Sequence, residues 1–178
     1  MSSIRPTSWL FLLPLLAFGC ATVHQSPAID PEKMRTFSPQ AEASAKPGDP
    51  IISPVTSLSL SESIRKVLAA CYDLGIPLFV PLVSADSLSA RVTSGTFIAK
   101  CSEDCKCGRG MASGHGSKSA SGVLQVRLHN VGHGTAVTVQ SMYWRTQSSG
   151  GDFGSTENLY FETLGRIEKR ILDDLGAR

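Results

Sequence analysis

Val123-Leu124-Gln125-Val126-Arg127-Leu128-His129-Asn130 is the most regular run in the chain. Leu124, Val126 and Leu128 fall on one side of an extended backbone, and Gln125, Arg127 and His129 on the other. That period of two specifies a strand with one buried and one wet face, the habit of antiparallel sheets. Asn130-Val131-Gly132-His133-Gly134 follows as turn chemistry. Thr135 to Trp144 then returns, with Val137, Val139 and Tyr143 directed inward. A hairpin is the expected centre of the fold.

The flanking segments add to it on both sides. Arg91 to Cys101 predicts a strand carrying Val92, Phe97 and Ile98, whose alternation slips near Gly95 as a bulge would make it. Ile76 to Val83 is apolar and extended, but Pro77 and Pro81 donate nothing to a ladder, so this strand belongs on an edge. Ser59-Leu60-Ser61-Glu62 has capping-box spacing. Ile64, Val67, Leu68, Cys71 and Leu74 then recur at helical spacing, and Gly75 ends the helix. Beyond a glycine- and serine-rich loop from Thr146 to Ser155, the positions Tyr160, Leu164, Ile167, Ile171 and Leu175 predict a last helix. The expected architecture is α+β: a four-stranded antiparallel sheet with two helices packed on one face, in the order α-β-β-β-β-α.

The first twenty residues have a separate physics. Arg5 supplies the one charge of a polar start, and an apolar run from Trp9 to Phe18 follows, broken only by Pro14. Such a run falls short of the roughly 20 residues needed to span a bilayer core and fits an export signal. Ala17-Phe18-Gly19-Cys20 resembles the bacterial lipobox, in which the cysteine thiol takes a diacylglycerol; Ala17 stands where leucine is commonest, and Phe18 is bulky for its position. The resemblance implies a bacterial lipoprotein, cut before Cys20 and held to the bilayer by acyl chains there. Ala21 is not the aspartate that retains many such proteins at the inner membrane, which implies the outer membrane, facing the periplasm. Residues 21 to 56 include Pro27, Pro31, Pro39, Pro47, Pro50 and Pro54 and are too poor in apolar surface to offset their ordering entropy. The expected organisation is a signal at 1–19, a lipid-anchored disordered tether at 20–56 and a single α+β domain at 57–178. In element order that domain resembles the small α-β-β-β-β-α domains of outer-membrane lipoproteins, such as those of the BamC assembly factor, a likeness of fold rather than activity.

Charge excludes one class of partner. The chain carries 17 basic and 15 acidic residues, Arg5 departs with the signal, and no lysine-arginine run occurs, so nothing recruits nucleic acid. With Cys20 lipidated, Cys71, Cys101, Cys105 and Cys107 remain as disulfide candidates in an oxidising compartment. A bridge from Cys71 to Cys101, Cys105 or Cys107 is expected, while Cys105 and Cys107 are too close in sequence to suit each other. Cys101, Cys105, Cys107 and His115 could instead hold zinc, although the spacing is not that of a zinc knuckle. Glu103 and Asp104 are expected as solvated loop charges. Trp144, exposed beside Arg127 and Arg145, would mark a contact surface.

No nucleophile–base constellation is legible, and Gly108-Arg109-Gly110 precedes no helix that could cradle phosphate. The expected activity is therefore non-catalytic: an envelope component binding a protein or glycan, without a cofactor. The alternative is a periplasmic metal- or redox-linked module built on the cysteine loop.

Overall fold

A computed structural model describes residues 29–37, 53–107, 119–148 and 156–177. Its nine strands and two helices run β1 (Arg35–Phe37), β2 (Val55–Thr56), α1 (Leu60–Asp73), β3 (Leu82–Val83), β4 (Ser89–Thr93), β5 (Phe97–Lys100), β6 (Cys105–Lys106), β7 (Ser119–Asn130), β8 (Thr135–Ser148), β9 (Thr156–Thr163) and α2 (Arg166–Leu175). The signal segment, Cys20 and His115 lie outside the described residues.

The β7–β8 hairpin is the spine. Asn130 pairs with Thr135 and Ser121 with Trp144, and between them Val126 faces Val139 and Leu128 faces Val137. The turn closes through Val131 N–H to Gly134 O at 3.0 Å and Gly132 N–H to Asn130 Oδ1 at 2.8 Å. Gly134 is required by a close approach, since a Cβ there would collide with the carbonyl oxygen of Thr56.

Both long strands are flanked by several short ones laid end to end. On the outer side of β7, β4 pairs with residues 125–129 and β5 with residues 119–122. Thr93 faces Gln125 and Phe97 faces Gly122, so four steps on one side match three on the other. That extra residue is the bulge anticipated near Gly95. On the outer side of β8 come β2, β1 and β9 in turn, and β6 pairs with β9 beyond them.

The four-stranded expectation is thus corrected to a nine-stranded antiparallel sheet ordered β3-β4-β7-β8-β9-β6, with β1, β2 and β5 alongside. The expected strand at 91–101 is split by its bulge, and the one at 76–83 shrinks to β3 with an isolated bridge at Leu78. β9 occupies residues assigned to the last helix, and β8 runs into the expected loop as far as Ser148. Gly165, at φ +76°, separates β9 from a helix that starts only at Arg166. Within 20–56, Met34 is buried and β1 and β2 are paired, although that stretch is expected as tether.

The core follows the alternation. Val92, Leu124, Val126, Leu128, Val137, Val139 and Tyr143 meet Val67 and Cys71 of α1 and Ile171, Leu172 and Leu175 of α2. α1 and α2 touch each other and pack on the central strands. Ser59 caps α1: its hydroxyl accepts from Glu62 N–H at 3.3 Å, while Ser59 N–H donates to Glu62 Oε2 at 3.1 Å. Gly75, at φ +68°, lets Ile76 N–H return to Cys71 O at 2.8 Å. The opposite face of the hairpin is not wholly wet, because Met34 packs there with Val123, Met142 and Trp144.

Candidate functional site

The chemistry gathers where β5 ends, β6 crosses β9 and α2 begins. After Lys100 the chain reverses through Ser102, a non-glycine residue at φ +72°. Ser102 N–H and Cys107 N–H both donate to Cys105 O, at 2.9 and 3.1 Å, which folds residues 101–107 into a tight loop. Cys101 and Cys107 meet across it as a disulfide with Cα atoms 5.3 Å apart. Cys105 and Cys71 are free and buried. The expected bridge from Cys71 is therefore corrected: the loop turns back on itself and closes its own ends, while Cys71 lies in the apolar stripe of α1.

Cys105 Sγ lies 3.5 Å from Cys107 Sγ, and the sulfurs of Cys101, Cys105 and Cys107 all lie within 4.8 Å of one another. Burial pushes the Cys105 thiol up to about 11, helped by the negative charges of Asp104 and Glu168 and opposed by Arg145. Burial alone raises Cys71 to about 11. Both are poor nucleophiles near neutral pH.

Two carboxylates hold the surroundings. Asp104, expected in solvent, is buried. Its Oδ2 accepts from Lys100 N–H at 2.7 Å, and its Oδ1 pairs with the Arg166 guanidinium at 2.6 Å. The loop is thereby tied to the first residue of α2. Glu103 stays exposed, beside Lys100 at 3.5 Å. Glu168 is fully buried; its Oε1 accepts from Thr163 at 2.7 Å, from Tyr143 at 3.4 Å and from Ser141. Its Oε2 has no hydrogen-bond partner. Burial first, then the charges of Glu168 and Asp104, pushes the Tyr143 phenol far above its usual value. Sequence reasoning missed Glu168, yet the signal was there: Glu168, Ile171, Leu172 and Leu175 recur at i, i+3, i+4 and i+7 on the buried face.

The proposed contact surface does not assemble. Trp144 is only 2% exposed, covered on the second face of the sheet with Met34, Val123 and Met142. Arg145 points to the other face, where Nη2 reaches Ser119 O at 2.8 Å and Cys101 Sγ at 3.4 Å, and its guanidinium stacks 5.6 Å from the Phe161 ring. Arg127 pairs with Thr138, six residues along β8 from Trp144, a separation of about 20 Å in an extended strand. Its guanidinium is exposed and bonds Gln125 at 2.9 Å.

A different surface stands out. Phe79 is 61% exposed, Val80 83%, Leu82 67% and Val83 51%, along the stretch that leads into and forms the edge strand β3. Among the described residues no strand pairs with the outer side of β3. No helix of the described residues is long and apolar enough to cross a membrane. Comparison of the chain with protein-family models, with curated proteins and with solved structures finds no match.

Proposed function

We propose that the chain is an envelope lipoprotein, exported on residues 1–19 and anchored through acylated Cys20 at the periplasmic face of the outer membrane. Its domain is a non-catalytic binding component that takes an extended segment of another envelope protein along β3. The lipobox resemblance supports the address. The apolar edge is the observation that carries the binding role. Four large apolar side chains exposed within five residues, on an edge with free backbone groups, are a liability that soluble proteins blunt with charge or cover. Strand addition satisfies the backbone and the side chains together. Pro81 has no N–H, Ser84 N–H is already given to Ser89 O and Leu82 is in the alternating pair that bonds β4, so Val83 is the β3 residue whose backbone faces outward.

The test uses a photo-crosslinking residue at Val80 or Leu82 in intact cells, with Arg127 as the control position. The reading expects one adduct from the edge positions, identified by mass, and none from Arg127. Leu82→Asp placed beside the Val80 crosslinker should abolish that adduct while leaving the far-ultraviolet circular dichroism unchanged. Equal adducts at all three positions, or indifference to Leu82→Asp, refute edge docking. Failure of labelled palmitate to enter the protein, with Cys20→Ser maturing and fractionating unchanged, refutes the anchor.

A further inference from the structure

We propose that the Cys101–Cys107 disulfide is the closed form of a three-sulfur site, and that its reduction opens the site to a soft cation of the Cu(I) kind. This inference is independent of the β3 edge and stands on the loop between β5 and β6.

The geometry comes first. The three sulfurs already lie within 4.8 Å of one another, on side chains that the shared acceptor Cys105 O holds convergent. Three thiolates about 2.3 Å from a common ion sit roughly 4 Å apart. Cys105 and Cys107, at 3.5 Å, are close to that spacing while the disulfide is still intact. Cleaving the bond releases Cys101 and Cys107 to move apart by side-chain rotation, with no need for the loop to unfold.

The third sulfur is the informative one. A disulfide between Cys101 and Cys107 needs no cysteine at 105, yet the thiol there is buried and faces the bridge. Apolar packing alone would be served by alanine or valine at that position. Charge points the same way, because a three-thiolate Cu(I) centre is negative overall and Arg145 Nη2 stands 3.4 Å from Cys101 Sγ. The donor set selects the ion: soft thiolates favour Cu(I) or zinc, and zinc in a structural site asks for a fourth ligand. Among the described residues the cluster comprises only the three cysteines. Three thiolates are a soft donor set that suits Cu(I).

The chemistry balances in two steps. A dithiol reductant attacks the exposed side of the bridge, is itself oxidised to a disulfide, and leaves a thiol on each of Cys101 and Cys107. Cu(I) then enters with no change of oxidation state, and the three thiol protons pass to solvent. Cys101 and Cys107 are part-exposed and open to the reductant, whereas Cys105 sits behind them.

The experiment titrates the full chain with Cu(I) under anaerobic conditions against a colorimetric Cu(I) chelator, before and after reduction by a dithiol that is then removed, with Zn(II) in parallel. One Cu(I) per reduced chain, none per oxidised chain and weaker Zn(II) binding are expected. Cys105→Ala should weaken Cu(I) binding at least tenfold while Cys101–Cys107 still forms. Cys101→Ser, at a part-exposed position that leaves the core filled, should weaken it as much, and Cys71→Ala should not. Equal binding before and after reduction overturns the proposal, as does binding that survives both loop substitutions or is lost with Cys71→Ala alone. Tighter Zn(II) than Cu(I) binding overturns the choice of ion.

Discussion

Gly165→Ala should destabilise the domain by about 2–3.5 kcal/mol, through two separable causes. Gly165 has φ +76°, where an L-residue costs about 1–2 kcal/mol relative to glycine. Its new Cβ would also land on the Phe37 ring, colliding with Cε2 and meeting Cζ and Cδ2 at 2.9 and 3.0 Å. Phe37 is half-buried against the main core, so displacing it forfeits about half of the 1.5–3 kcal/mol that full burial of a large apolar side chain supplies. Phe37→Ala removes the obstacle, and in that background Gly165→Ala should cost only the backbone part. The double-mutant cycle therefore predicts a coupling of about 1–1.5 kcal/mol. Urea denaturation of the four proteins, read as shifts in midpoint at constant slope, measures it. A coupling below about 0.5 kcal/mol would mean additive sites, and would refute the placement of β1 over the junction of β9 and α2.

Four further outcomes follow from other contacts described above. Apart from Cys20, alkylation without reductant should be slow in the native protein, reach Cys71 and Cys105 on unfolding, and reach Cys101 and Cys107 only after reduction; peptide mass mapping reads each step. Because Cys71 and Cys105 titrate near 11 when folded and near 9 when not, their contribution is intact below about 9 and fades as pH rises through 11, visible as a falling midpoint in alkaline denaturation. Ser59→Ala should cost about 1 kcal/mol at neutral pH. Hydrogen bonds from Ser59 hold the Glu62 carboxyl below its ordinary 4.5, so the box's contribution is present above that pH and lost as pH falls through the lowered value; the Ser59→Ala penalty should shrink in acid. Trp144→Ala should cost about 3–5 kcal/mol in the same urea assay, as a buried aromatic does, whereas a solvated contact residue would cost less than about 0.5.

What the sequence disclosed depended on how far each signal reached along the chain. Val123 to Trp144 carries its own period and its own turn, and the hairpin follows from those residues alone. The capping box of α1, its glycine stop and the bulge near Gly95 are equally local. β9 was obscured because Tyr160 and Leu164 happen to sit in phase with Ile167, Ile171 and Leu175, so one helical stripe seemed to run through both elements. β1, β2 and β6, two or three residues each, are too short to show any period. Asp104 gave no warning of burial because Arg166, its partner, lies sixty-two residues away. The cysteines showed that bridging was possible, but not which pair: that was decided by Ser102 adopting a left-handed turn, which residue type does not announce.

The docking of Met34 and β1 on β8 bears on how far the domain can stray. If Cys20 carries lipid as proposed, only fourteen peptide steps separate the anchor from Met34, the first residue docked on the sheet. Fully stretched, that many steps cover at most roughly 50 Å. Under the proposed anchor, the domain is held within that reach of the bilayer, and a partner docking on β3 would have to bring its segment within the same distance.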